Sequence, residues 1–173
     1  MDKFIIEGGI PLHGEFTPSG NKNAALPLLA ATILTDEPIV LNNMPNILDV
    51  LAMKNLMESL GVSIEIRNGN SWHIQAKNVS FNSLDPDLCR RIRASILLAG
   101  PMVARTGKLI LPPPGGDVIG RRRLDTHILA LKKLGVEASY DRMFHFSTQS
   151  LIGADILLDE ASVTATENAI MAC

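Results

Sequence analysis

Aromatic side chains are scarce in this 173-residue sequence, making up 4% of it, while hydrophobic residues as a whole reach 46%. Its core must therefore be aliphatic, built from Leu, Ile, Val, Ala and Met. No basic stretch is interleaved with aromatics, which excludes the common nucleic-acid platforms. The net charge of −2 excludes a general polyanion binder, so any anion site has to be local. Cysteine is also rare: Cys89 and Cys173 form neither a metal-ligand nor a CxxC spacing, which fits a reduced cytosolic protein better than a disulfide scaffold. His73, His127 and His145 have no ligand spacing among themselves and read as structural. No metal or cofactor is expected. The longest apolar run, Ala24 to Leu34, is shorter than a membrane span and is broken by Pro27 and Thr32. The opening MDKFIIEGG lacks the form of a signal peptide. The expectation is a soluble cytoplasmic protein of one large domain or two small ones, with no membrane and no nucleic-acid partner.

What the sequence does contain is an internal repeat. LPLLAATILTDEPIVL (26–41) aligns with ILLAGPMVARTGKLIL (96–111) at an offset of 70 residues, and MESLGVSIE (57–65) with LKKLGVEAS (131–139) at an offset of 74. Each pair reads as one unit, β-α-β-α-β-β. Its glycine after Leu stops a helix in the left-handed region, and alternating residues then begin a strand. Helices are expected over Asp49–Leu60 and Asp125–Leu134, each with an acid at its positive end. Asn68-Gly69 marks a hairpin turn. The four extra residues of the second copy fall in or beside PPPGGDVIGR, an insertion confined to one copy of a duplicated scaffold. A third copy opens at ASVTATENAIMAC, and the chain reads as part of a longer protein.

Three stretches could bind an anion, and each has a plainer reading. SGNKNAALP (19–27) runs a polar turn into an apolar helix, with Lys22 and Asn23 at the turn; taken alone, an ordinary cap by Ser19 or Asn21 explains it better. CRRIRASILLAG (89–100) places Arg93 opposite Asn23 in the repeat, where a guanidinium could grip a phosphate or carboxylate; a solvated charged turn is the alternative. The third stretch, LPPPGGDVIGRRRLDTH (111–127), has a glycine pair, Asp117 at its tip and three arginines. Asp117 as a turn residue beside solvated arginines would be the default for an isolated motif. Repetition at related positions shifts the balance toward an anionic-substrate pocket with an acid beside it.

These residues resemble the N-terminal part of the UDP-N-acetylglucosamine 1-carboxyvinyltransferases, enolpyruvyl transferases that commit a sugar nucleotide to bacterial peptidoglycan. SGNKNAALP, RASILLAGPMVAR, PGGDVIGRRRLDTHILALKKLG and DEASVTATENAIMAC stand in family order over the whole chain. The resemblance implies an inside-out α/β barrel of β-α-β-α-β-β units, incomplete here. Residues 1–20 would be an N-terminal strand segment at the other domain's edge and 21–90 the first repeat. The second repeat would be 91–160, with a lid loop at 111–123, and 161–173 a truncated third. It implies phosphoenolpyruvate and UDP-N-acetylglucosamine as partners, with a C-terminal domain supplying the general base and half the cleft. Lys22 would contact phosphoenolpyruvate, and Asn23 the sugar nucleotide. Arg93 and Arg122 would clamp the anionic groups. Arg123, Leu124, Asp125 and Thr126 would hold the uridine end, and Glu160, Ala161, Ser162 and Val163 the diphosphate, although members often carry a basic residue where Glu160 stands.

In the implied reaction the sugar 3-hydroxyl adds to C2 of phosphoenolpyruvate, a proton goes to C3 and phosphate leaves. Asp117, standing where most members carry cysteine, would be the acid on the lid. The rivals are a 3-phosphoshikimate 1-carboxyvinyltransferase-like enzyme, which lacks this lid, and a non-catalytic nucleotide-binding fragment. On this reading the chain by itself turns over no substrate.

Overall fold

The computed structural model describes residues 3–80, 84–116 and 124–173. Within them the chain builds one small unit twice. The first contains helix α1 (Lys22–Ala31) with a closing 3₁₀ turn at Thr32–Leu34, strand β1 (Ile39–Leu41), α2 (Leu48–Ser59), β2 (Ser63–Arg67) and β3 (Ser71–Gln75). The second adds a short helix α3 (Pro86–Arg91) in front. It continues through a 3₁₀ segment (Arg93–Leu98), α4 (Ala99–Thr106), β4 (Lys108–Leu111), α5 (Asp125–Lys133), β5 (Glu137–Tyr140) and β6 (Phe144–Ser147). Helix α6 (Val163–Ala172) then repeats the opening of the unit.

Each unit carries a three-stranded antiparallel sheet with its last strand in the middle, ordered β1-β3-β2 and β4-β6-β5. The registers match. Ile74 pairs with Ile39 on one side and Ile64 on the other, as Phe146 pairs with Leu109 and Ala138. Neither sheet closes on itself, so the fold is an α/β barrel of repeated units left open.

The helix endings repeat as closely. Gly61 and Gly135 have φ of 93° and 88°. The residue after each returns a backbone hydrogen bond to the helix, Val62 to Met57 at 3.1 Å and Val136 to Leu131 at 3.0 Å. This left-handed cap turns the chain out of the helix and into the strand. Leu56, Met57, Leu60 and Val62 are buried, as are Ala130, Leu131, Leu134 and Val136 at an offset of 74. In the apolar helices Leu26, Leu29 and Ile33 are buried, and so are Ile96, Ala99 and Val103 at an offset of 70. One aliphatic core runs through both units, with Trp72 and Phe146 as its largest members. Arg105 fastens the units together: from α4 it donates to the carbonyls of Ile33 at 2.9 Å and Ala76 at 3.2 Å in the first unit.

One expectation needs correction, and one alternative reading is excluded. The strand expected to lead each unit is not formed: no strand occurs in 3–20, 76–80, 84–85 or 148–162 among the described residues. Backbone hydrogen bonds there are isolated ones, such as Ser80 to Leu60 at 2.9 Å and Ile152 to Leu134 at 3.0 Å, and isolated bonds do not make a ladder. The solvated charged turn weighed as the alternative for the stretch ahead of Arg93 is not what forms: residues 86–91 are helix α3, capped by the Asp85 carboxylate, which accepts from the N–H groups of Asp87 and Leu88.

Candidate functional site

The N-terminal ends of three packed elements meet. Lys22 is the first residue of α1, Arg93 the first of the 3₁₀ segment before α4, and Val163 the first of α6. Between them lies a cleft of about 650 Å³ lined by Lys22, Asn23, Arg93, Ser162 and Val163 together with Glu160 and Ala161. The symmetry seen in the sequence thus becomes proximity in space, because helices packed side by side in one direction bring their first turns to one end.

Each first turn is organised differently. In α1 the Asn21 side chain accepts from the N–H of Asn23 at 2.7 Å and of Ala24 at 3.2 Å, so the plain capping reading of that turn holds. That cap leaves Lys22 and Asn23 facing the cleft, where the Lys22 ammonium donates to Asp49 at 2.9 Å. In α6 the Ser162 hydroxyl caps Ala165, at 3.3 Å. In the second unit Arg93 follows directly on α3, whose Arg91 also reaches the cleft. Three cations, Lys22, Arg91 and Arg93, thus share the lining with two carboxylates, Glu160 and the Asp49 already paired with Lys22. Such a surface favours an anion with several acceptor oxygens over a neutral ligand.

The base of the long second-unit connection docks here too. Gly115 and Gly116 donate to the carbonyls of Cys89 at 3.0 Å and Arg90 at 3.1 Å, and Gly116 joins the cleft wall. Asp117, Arg122 and Arg123 lie outside the described residues. Leu124, Asp125 and Thr126 do not line the cleft. Thr126 is buried and donates to Asp159 at 2.7 Å, and Asp125 sits on the outer face of α5 beside Ile128, Leu129, Lys132 and Lys133.

The sequence reading missed four polar lining residues, Asp49, Arg91, His127 and Thr164, besides the apolar ones. Asp49 could be seen only as a helix-start acid, and Arg91 becomes legible once Asp85-Pro86 is read as a helix start. His127 is buried in α5, and burial together with neighbouring Arg93 pulls its pKa from 6.5 down to about 4. It is neutral at physiological pH. Cys89 is buried as well, and its thiol is raised to about 11 chiefly by that burial, so it is no nucleophile. No cluster of three or more His, Cys, Asp or Glu that could hold a metal occurs among the described residues. No helix there is long and apolar enough to cross a membrane.

The profile of the family described as EPSP synthase (3-phosphoshikimate 1-carboxyvinyltransferase) matches residues 6–173. The chain is 56% identical over 172 residues to the UDP-N-acetylglucosamine 1-carboxyvinyltransferase of Treponema denticola, covering 99% of this chain and 40% of that protein. It is 54% identical over 170 residues to the enzyme of the same name from Bradyrhizobium diazoefficiens, covering 98% and 39%. The chain thus spans about 40% of the length of these curated relatives. In fold it is similar to the enolpyruvyl transferase NikO from Streptomyces tendae, with a TM-score of 0.76 at 22% identity over 95% of this chain and 39% of that one. An EPSP synthase from Acinetobacter baumannii gives 0.73 at 17% identity over 92% and 37%. A family match over nearly the whole chain, on a fold shared with solved members, means that this chain belongs to the carboxyvinyltransferase, or enolpyruvyl transferase, family of enzymes.

Proposed function

We propose that this chain forms part of an enzyme that transfers the enolpyruvyl group of phosphoenolpyruvate to the 3-hydroxyl of UDP-N-acetylglucosamine, releasing phosphate, in the first committed step of peptidoglycan synthesis. The observation that carries this reading is the convergence of Lys22, Arg93 and the Ser162–Val163 turn on one cleft. Two anionic substrates must be held together there. Lys22 and Arg93 neutralise the phosphate and carboxylate of phosphoenolpyruvate, Asn23 orients the sugar nucleotide, and the first turn of α6 takes its diphosphate. Negative charge that would otherwise repel the sugar oxygen attacking C2 is thereby offset. Asp117, with Arg122 and Arg123, completes the site from the long connection: the carboxyl gives its proton to C3 as the 3-hydroxyl adds to C2 and yields its own proton to the general base, and C3 then loses a proton as the bond from C2 to the phosphate oxygen breaks, which restores the vinyl group and releases phosphate. Leu124, Asp125 and Thr126 serve the uridine end through their backbone, since the Thr126 side chain is already engaged. The sugar-nucleotide enzyme is preferred to the shikimate enzyme because relatives of that name share about half of this sequence.

A second domain supplies the other half of the cleft, and residues 1–20 belong to its edge. Phe4, Ile5 and Leu12 are each at least 90% exposed, a large apolar surface for a segment without a covering partner. The enzyme acts in the cytoplasm, where both substrates are found.

A phosphate-release assay tests the proposal on two proteins, the 173-residue chain and a hybrid joining it to the remainder of the Treponema denticola relative. The hybrid is expected to release phosphate from phosphoenolpyruvate with UDP-N-acetylglucosamine, and the chain alone to bind the nucleotide weakly without turnover. Turnover with shikimate 3-phosphate instead would overturn the assignment.

A further inference from the structure

One wall of the cleft carries a hydrogen-bond relay that sets the direction of a single hydroxyl. Asn168 of α6 is buried, and its Oδ1 accepts from the backbone N–H of Gly100 at 2.6 Å. Only the amide oxygen can accept there, so the orientation of the side chain is settled. Its Nδ2 then faces the carbonyl of Ile96 at 2.9 Å and Nδ1 of His127 at 3.2 Å. An amide NH₂ can only donate. His127 therefore accepts at Nδ1 and carries its proton on Nε2. Nε2 lies 3.2 Å from Oγ1 of Thr164 and donates to it.

A hydroxyl oxygen that accepts in this way keeps its own proton to give. No acceptor for that proton is found among the described residues. Thr164 is exposed and lines the cleft alongside Lys22, Arg91 and Arg93. Its β-branched side chain is stiff at χ1, and donation from His127 polarises its O–H further. His127 stays neutral above about pH 4, so the relay keeps one sense at physiological pH.

We propose that Thr164 donates a hydrogen bond to an anionic oxygen of the nucleotide substrate's diphosphate, and that Asn168 and His127 are positioning residues that aim it. This rests on the function proposed above. An anionic oxygen is the acceptor the neighbouring cations bring to that wall, and a donor already oriented loses little freedom on binding. At the offset of 74, α2 places Met53 where α5 has His127, so the first unit has no such relay.

The test uses the hybrid enzyme with Thr164→Val and Thr164→Ser. Loss of a hydrogen bond to a charged group predicts a rise of about tenfold in KM for UDP-N-acetylglucosamine with Thr164→Val. The value for phosphoenolpyruvate and kcat should move far less, and Thr164→Ser should restore most of the affinity. Imidazole ¹⁵N spectra of His127 should show the Nε2–H tautomer. An unchanged KM in Thr164→Val, or a proton on Nδ1, overturns the proposal. If the parent hybrid releases no phosphate, the enzymatic reading has failed. The tautomer, and the affinities of parent and Thr164→Val for UDP, then still decide the relay, and equal affinities overturn it.

Discussion

The two repeated units make the same close backbone crossing with the glycine on opposite sides. In the first, Gly20 lies just ahead of α1, and a Cβ there would overlap the carbonyl of Asn43 in the connection after β1. In the second, the residue ahead of the helix is Arg90, and the glycine is Gly115 in the connection after β4. The first connection is short, residues 42–47, and the second runs from 112 to 124. Placing the glycine in the connection lets the second unit seat the foot of a long loop against α3 and the cleft. Duplication supplied two equal scaffolds. What differs between them lies where the crossing could be lengthened without disturbing the core.

The largest expected effect falls on that added loop. A thiolate is a strong soft nucleophile, whereas a carboxyl group that works protonated is a poor one. The hybrid enzyme should therefore resist the epoxide antibiotic fosfomycin, which alkylates the loop cysteine of other family members. Asp117→Cys should be inactivated at least about a hundredfold faster while keeping some activity. Mass spectrometry of position 117 reads the adduct directly, and rapid inactivation of the parent would remove the acid from the loop.

Next come the crossings themselves. Gly20→Ala and Gly115→Ala should each lower stability by about 3 kcal/mol or more, because the obstacle is a backbone carbonyl that cannot rotate away. Urea denaturation midpoints measure this. Asn43→Gly should not rescue Gly20→Ala, since it leaves that carbonyl in place. A neutral Gly115→Ala would show that the two crossings are not equivalent.

A third difference is polar against apolar inside matched helices, His127 in α5 against Met53 in α2. With its pKa lowered from 6.5 to about 4, His127 binds fewer protons in the folded protein than in the unfolded chain across that window. Stability is therefore full above about pH 6.5 and falls as the pH drops toward 4, by up to about 3 kcal/mol. His127→Met, which copies the first unit, should flatten this part of the acid limb. Unchanged pH dependence in the variant would assign the loss to other groups.

The smallest effect belongs to the Lys22–Asp49 pair, whose side chains are 47% and 39% exposed. Asp49→Asn should cost less than about 1 kcal/mol of stability, as for other solvated ion pairs. The second unit makes no demand on this pair. A larger loss would mean that Asp49 supports the first unit's fold as well as the cleft.

The sequence by itself determined the repeated unit, because apolar periodicity, Leu-Gly-Val helix stops and the Asn68-Gly69 turn are local signals acting over a few residues. Asn68 and Gly69 do lie at positive φ, 51° and 77°, and α6 forms at Val163–Ala172, within the ASVTATENAIMAC stretch read as the opening of a third copy. Lys22, Asn23 and Arg93 were legible as equivalent helix starts for the same reason. Tertiary structure alone decided that these starts share one cleft, since their meeting depends on how helices far apart in sequence pack. It also drew Asp49, Arg91, His127 and Thr164 into that cleft. The leading strands show the same limit from the other side: a segment becomes a strand only when a neighbour takes up its backbone hydrogen bonds, and pairing is a property of the assembled fold rather than of the segment.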